Sequence, residues 1–149
     1  MRHVLSMTSE PAELARMRAW LRGELADGSL PRETCAQLLV AVGELCTNAI
    51  KHAYGGQTGQ PIEVAVERGP DRIQIDVEDW GVPFDPERYV APDLDAAPDH
   101  GLGLFLARTI ADRFSWDTAR AGGTRWTLIK YLPGQTPGAP QTRGARERE

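Results

Sequence analysis

Glu44, Asn48 and His52 recur at intervals of four in the segment ELCTNAIKHAY. A helix turns by about 100° per residue, so this spacing lines a carboxylate, an amide and an imidazole along one slightly slanted face. Leu38, Val42, Leu45, Ala49 and Ala53 form the apolar stripe of the same segment, and by that angle the polar line runs beside it. The three groups therefore stand at the rim of a core, where a pocket fits. A carboxylate there can serve as a general base, and an amide oxygen can ligate a hard cation. The same triplet also suits a solvated helix face, and the residues downstream decide between the two.

A scaffold for these groups is legible from periodicity and turn chemistry. His3 to Ser6 reads as a short strand. Ser9 and Glu10-Pro11 open a helix with Leu14, Met17, Trp20, Leu21 and Leu25 on its apolar face, ended by Asp27-Gly28. Pro31 starts a second helix that runs to about Tyr54 and stops at Gly55-Gly56. Ile62-Val64-Val66 and Ile73-Ile75-Val77 alternate as strands, and Arg68-Gly69-Pro70-Asp71 between them predicts an antiparallel hairpin. Gly101 leads into a third helix, and Phe114 to Thr118 and Thr124 to Tyr131 read as a closing pair of strands. Pro133 to Glu149, rich in Pro, Gly, Gln, Arg and Glu, reads as a disordered tail, which leaves residues 1–132 as the domain.

The segment between Asp79 and His100 carries Pro83, Pro86, Pro92 and Pro98 and little periodicity, so it is a long loop. Loops of that length inside a compact domain are usually lids or binding loops. Asp79 ends an apolar strand, and Gly81, two residues on, lets backbone approach a ligand. A carboxylate there can accept a hydrogen bond from an exocyclic amine and so select adenine, or it can be a plain turn residue. Gly101-Leu102-Gly103 at a helix start exposes unpaired amides at the positive end of the dipole, which suits phosphate, although such a turn also serves as an ordinary junction. No GxxxxGK[ST] occurs, and no parallel βαβ unit frames the glycines. Gly122-Gly123-Thr124 is a further glycine turn before a strand.

Bulk properties narrow the classes. At 149 residues the chain has room for one core, and its 41% hydrophobic and 26% charged residues are ordinary for a soluble domain. A net charge of −4 gives no electrostatic reason for a nucleic acid or an anionic membrane as partner. Nothing resembles a membrane span or a signal peptide. Cys35 and Cys46 fall on one predicted helix, roughly 16 Å apart by its rise, too far for a disulfide. They read as thiols of a reducing compartment, and the expected location is the cytoplasm.

Taken in order, the chain carries ExxxNxxxHA, DxGxxFD, GLGL and GGT on a helix, a strand end, a loop–helix junction and a strand start. That set resembles the four boxes of the Bergerat-type ATPase superfamily of gyrase, the heat-shock chaperone, histidine kinases and MutL. The variant looks like the small anti-sigma factor serine/threonine kinases of bacteria, over Arg2 to Leu132. The resemblance implies a two-layer α/β sandwich, with a mixed, mainly antiparallel sheet, helices on one face, and ATP between helices and lid. It makes Glu44 the general base toward a serine or threonine hydroxyl, and Asn48 the ligand of a magnesium ion bridging the phosphates. Asp79, with Gly81, becomes the adenine-reading carboxylate. Gly101, Leu102 and Gly103 become the phosphate turn, Thr124 a neighbour of adenine, and Lys51 and His52 flank the phosphates, although His52 equally suits a half-buried structural role.

The implied partners are a sigma factor, an antagonist protein, or both, and homodimerisation is implied although no segment demands it. In some of these kinases an arginine stands just before the glycine turn. Here that position reads Pro98-Asp99-His100, and the nearest lid cation is Arg88. A cationic group in that role is worth several powers of ten in rate. A non-catalytic, nucleotide-gated binding module of the same fold is therefore the alternative. A sensor histidine kinase fragment would need a phospho-accepting helix, yet the one histidine upstream of Glu44, His3, falls in a predicted strand. The segment from Asp85 to His100 is expected to be a lid that orders with the γ-phosphate.

Overall fold

Strands with apolar residues at every second position bury one face, and the described helices pack on that face. The computed structural model describes residues 1–88, 102–118, 122–135 and 146–148. Its elements run β1 (Arg2–Thr8), α1 (Glu13–Glu24), α2 (Arg32–Asn48), a π-helical turn (Ala49–Ala53), β2 (Pro61–Arg68), β3 (Arg72–Asp79), a 3-10 turn (Pro86–Arg88), α3 (Leu102–Ile110), β4 (Arg113–Asp117), β5 (Arg125–Tyr131) and β6 (Arg146–Arg148). They form a six-stranded sheet in the order β1-β2-β3-β5-β4-β6. Every pairing among the described residues is antiparallel, a stricter form of the mainly antiparallel sheet expected.

Ile62, Val64 and Val66 of β2 and Ile73, Ile75 and Val77 of β3 point to the helices and are fully buried. Leu38, Ala41, Val42, Leu45 and Cys46 of α2 meet them from above. Burying one such aliphatic side chain contributes about 1.5–3 kcal/mol, so α2 is the principal fastening between the layers. Both cysteines are free thiols, as expected; burial pushes the Cys46 thiol up to about 12, so it stays protonated. Among the described residues no helix is long and apolar enough to cross a membrane.

Among the described residues no helix covers the other face of the sheet, which is polar. Asp76 sits near its centre, buried by its neighbours, and accepts hydrogen bonds from Thr127 Oγ1 at 2.7 Å and Arg2 Nη1 at 3.0 Å. A cavity of about 690 Å³ opens there between Arg2, Asp76, Arg125 and Thr127. Arg2, Arg72 and Arg125 are paired with Asp76, Asp71 and Glu78, so the charges on this face largely cancel.

The tail departs from its composition. Residues Arg146–Arg148, inside the stretch read as disordered, pair with Trp116, Ser115 and Phe114 of β4. The outer edge of β4 otherwise presents unpaired N–H and C=O groups, and backbone pairing there asks little of side-chain type. Residues 136–145 and 149 lie outside the described residues.

Leu45 shares its turn with Glu44 and is fully enclosed. Leu45→Ala is expected to lower stability by about 2–5 kcal/mol, read from urea unfolding monitored by circular dichroism.

Candidate functional site

The α2 helix leaves the core at the place where its polar line begins. Glu44 and Asn48 are half-buried beside fully buried Leu45 and Cys46, at the rim that the sequence spacing indicates. The start of α3 lies directly against both. A Cβ on Gly103 would stand 2.7 Å from Glu44 Cβ and 3.4 Å from Asn48 Nδ2, so the α3 backbone can come this close only with glycine there. The first turn of α3, with the orphan amides of a helix N-terminus, thus abuts a carboxylate and an amide. Gly101 lies outside the described residues, and Leu102 opens α3.

Beyond Asn48 the helix widens. Tyr54 N–H bonds to Ala49 O, five residues back, at 3.0 Å, which adds a residue to the turn. Lys51 and His52 are both exposed, and the half-buried reading of His52 is overturned. No sequence signal marks this change of register.

A second cluster forms at the end of β3. Asp79 is only 2% exposed, and its Oδ1 accepts the Gly81 N–H at 3.0 Å. Its own N–H donates to Thr124 O at 3.0 Å. Thr124 is equally buried, and its Oγ1 accepts the Phe84 N–H at 2.9 Å, keeping the hydroxyl proton for a further acceptor. Gly81 touches the π-turn: a Cβ there would lie 2.3 Å from Ala53 O. Asp79, Gly81 and Thr124 are thus brought together, and Ala53 links them to the helix that carries Glu44 and Asn48.

Two contributors escaped the sequence reading. Phe84, inside DxGxxFD, packs edge-on against Trp126 and Trp116 at ring-centroid distances of 4.9 Å and 5.4 Å, pinning the loop to the core. An aromatic residue between Pro83 and Pro86 was the available signal. Tyr54 was read only as a helix end, yet its hydroxyl contacts the backbone after Asp79.

Could these residues hold a nucleotide and its metal? The donor set fits: a buried carboxylate for an amine, helix-start amides for phosphate, and the Asn48 side chain for a cation. Among the described residues no cluster of three or more His, Cys, Asp or Glu could hold a metal ion by itself. A magnesium site built on Asn48 and phosphate oxygens needs none, because that ion keeps several waters. Residues 89–100, most of the expected lid, and the Pro98-Asp99-His100 segment lie outside the described residues; the side chain of Arg88 is likewise undescribed.

Comparison with known proteins shows the family and the fold. The histidine kinase-like ATPase domain family matches residues 7–130. The serine-protein kinase RsbW of Bacillus pumilus is 33% identical over 138 residues, covering 86% of this chain and 84% of that protein. RsbW of Listeria innocua is 30% identical over 116 residues, covering 72% and 74%, and RsbW of Bacillus subtilis 26% over 139, covering 88% and 86%. A crystal structure of the RsbU and RsbW domains of a Mycobacterium tuberculosis protein shares the fold, with a TM-score of 0.64 at 22% identity over 95% of this chain and 35% of that longer one. The chain belongs to the histidine kinase-like ATPase domain family. Within it, the chain is one of the anti-sigma factor type serine/threonine kinases.

Gly103→Ala places a methyl group against Glu44. The two helices must part, at an expected cost of about 1–3 kcal/mol. Thermal melting should show that loss, and calorimetry should show weaker ATP binding in the protein that remains folded.

Proposed function

We propose that the protein binds ATP with magnesium and transfers the γ-phosphoryl group to a serine or threonine of an antagonist protein, sequesters a sigma factor, or does both. One observation carries the reading: the first turn of α3 is set against Glu44 and Asn48 by the missing side chain of Gly103. Phosphate-binding amides, a metal-ligating amide and a base then share one spot.

Bound ATP and its magnesium supply an activated phosphoryl group. Asp79 would accept from the exocyclic amine of adenine, with its carboxylate oriented by the Gly81 N–H. Thr124, whose hydroxyl proton is uncommitted, stands beside it as a donor to the base or to a bridging water. Asn48 would ligate the cation, and the amides of Gly101, Leu102 and Gly103 would hold phosphate. Glu44 would take the proton from the attacking hydroxyl; its half-buried setting on α2 holds it still. Lys51 and His52, exposed on the π-turn, would flank the phosphates. The free thiols fit a cytoplasmic setting.

The alternative, a nucleotide-gated module that grips its partner without phosphorylating it, is favoured by one feature. Pro98-Asp99-His100 offers no arginine before the glycine turn. Incubation with γ-labelled ATP and proteins captured from the native cell separates the two: label on a captured protein supports the kinase, and capture that depends on ATP without label supports the module. The same capture shows whether a sigma factor, an antagonist or both are bound, and light scattering shows whether the chain is a homodimer.

Asp79→Asn keeps the shape but presents an amide to the adenine amine. ATP affinity is expected to fall by about tenfold to a hundredfold with weaker discrimination against GTP, measured by calorimetry. Unchanged affinity would remove the adenine assignment.

Glu44→Gln fills the same volume and cannot accept the proton. Nucleotide binding and folding should persist while transfer falls by about 10²–10⁴-fold, read by radiolabel. Transfer at the normal rate would place the base elsewhere.

A further inference from the structure

The β2–β3 ladder stops one rung short of where its strands would allow. Its register runs down to Ile62↔Asp79, and the next rung sets Pro61 opposite Trp80. A side chain occupies that rung. The Tyr54 hydroxyl donates to the Pro61 carbonyl oxygen at 2.6 Å and accepts the Trp80 N–H at 2.8 Å. The two backbone groups meet on one phenolic oxygen instead of on each other.

The three amides that follow Asp79 are each fixed from a different direction. Trp80 N–H goes to Tyr54 Oη, Gly81 N–H to Asp79 Oδ1 at 3.0 Å, and Val82 N–H to Ala53 O at 2.8 Å. Two of these acceptors, Ala53 and Tyr54, are consecutive residues at the end of the π-turn, and the extra residue in that turn is what carries both to the strand end. The loop after Tyr54 is itself tied down. Ser9, fully buried at the β1–α1 corner, donates to the Gln57 carbonyl at 2.6 Å and accepts the Gln60 N–H at 3.0 Å.

We infer that Tyr54 is a positioning residue for nucleobase selection: its hydroxyl ends the β2–β3 ladder at Asp79 and so fixes the turn whose Gly81 N–H aims the Asp79 carboxylate. This rests on the adenine reading of Asp79. Selection of an amine by a carboxylate requires placement to about 0.5 Å, and supporting hydrogen bonds supply that precision. With the hydroxyl removed, Trp80 N–H and Pro61 C=O lose their shared partner and are free to bond each other. The ladder then gains a rung, and Gly81 N–H is drawn away from the carboxylate.

Tyr54→Phe deletes one oxygen and leaves the ring. Calorimetry with ATP and with GTP, each with magnesium, on the full chain should show ATP binding weakened by about tenfold and the ATP-to-GTP preference reduced. Amide exchange by nuclear magnetic resonance should show the Trp80 N–H exchanging faster or shifting to a new partner, while circular dichroism stays that of the folded protein. A hydroxyl that serves stability alone would lower the melting temperature and leave the ATP-to-GTP ratio of the folded protein intact, and that result overturns the inference. Asp79→Asn, measured beside it, separates the levels. If Asp79→Asn loses the preference and Tyr54→Phe keeps it, Tyr54 does not position the site. If both keep it, the adenine reading falls and the inference falls with it.

Discussion

Close backbone packing against α2 is the constraint on which the rest of the structure depends. On one side α3 approaches so near that a methyl group at position 103 would collide with Glu44. At its end, the Trp80–Val82 turn lies so near that a methyl group at position 81 would collide with Ala53 O. Beneath it, Leu38, Val42 and Leu45 lock the helix to the sheet. A helix held on three sides cannot shift, and the polar groups along its rim inherit that rigidity. The approach of a helix start and a turn to one helix is what converts a row of polar side chains into a site with two halves.

The sheet divides its duties between faces. Toward the helices, alternate residues of β2 and β3 are aliphatic and fully enclosed; away from them lie Arg2, Glu67, Gln74 and Asp76. One covered and one solvated face is the ordinary condition of an antiparallel sheet. What is less ordinary is that Asp76 is enclosed on the solvated side. Its hydrogen bonds to Arg2, Gln74 and Thr127 join β1, β3 and β5, elements remote in sequence. A buried carboxylate left without such partners would be costly, so these donors are a condition of its presence.

The parts of the fold that could be read in the sequence are those governed by local period. β2, β3, β5 and the α2 helix follow from alternation or from helical spacing, and Glu44 and Asn48 lie at the core rim as their position beside the apolar stripe requires. Asp79 and Gly81 were legible because an acidic residue at the end of an apolar strand breaks the pattern. The widened turn at Ala49–Ala53 was missed because nothing in AIKHA distinguishes an α-turn from a π-turn; it brings Ala53 and Tyr54 to backbone partners after Asp79, a tertiary demand. β6 was missed for a similar reason. Arg-Glu-Arg has no apolar alternation, and its strand is defined by the free edge of β4. Tyr54 and Ser9 act on backbone groups tens of residues or one loop away, and no spacing rule encodes such partners.

The widened turn also bears on which insertions and deletions the gene can tolerate. Loss of a single codon between positions 49 and 53 would let the helix close up into an ordinary α-turn, which by local energetics alone is no injury. Yet every residue after the deletion would swing by about 100° about the helix axis. The Ala53 carbonyl would leave Val82, and the tyrosine ring would leave the strand end. A change neutral for the helix would thus be felt at the strand it touches. Indels should accordingly be tolerated in the glycine-rich segment from Gly55 to Gly59 more readily than in the five residues before it.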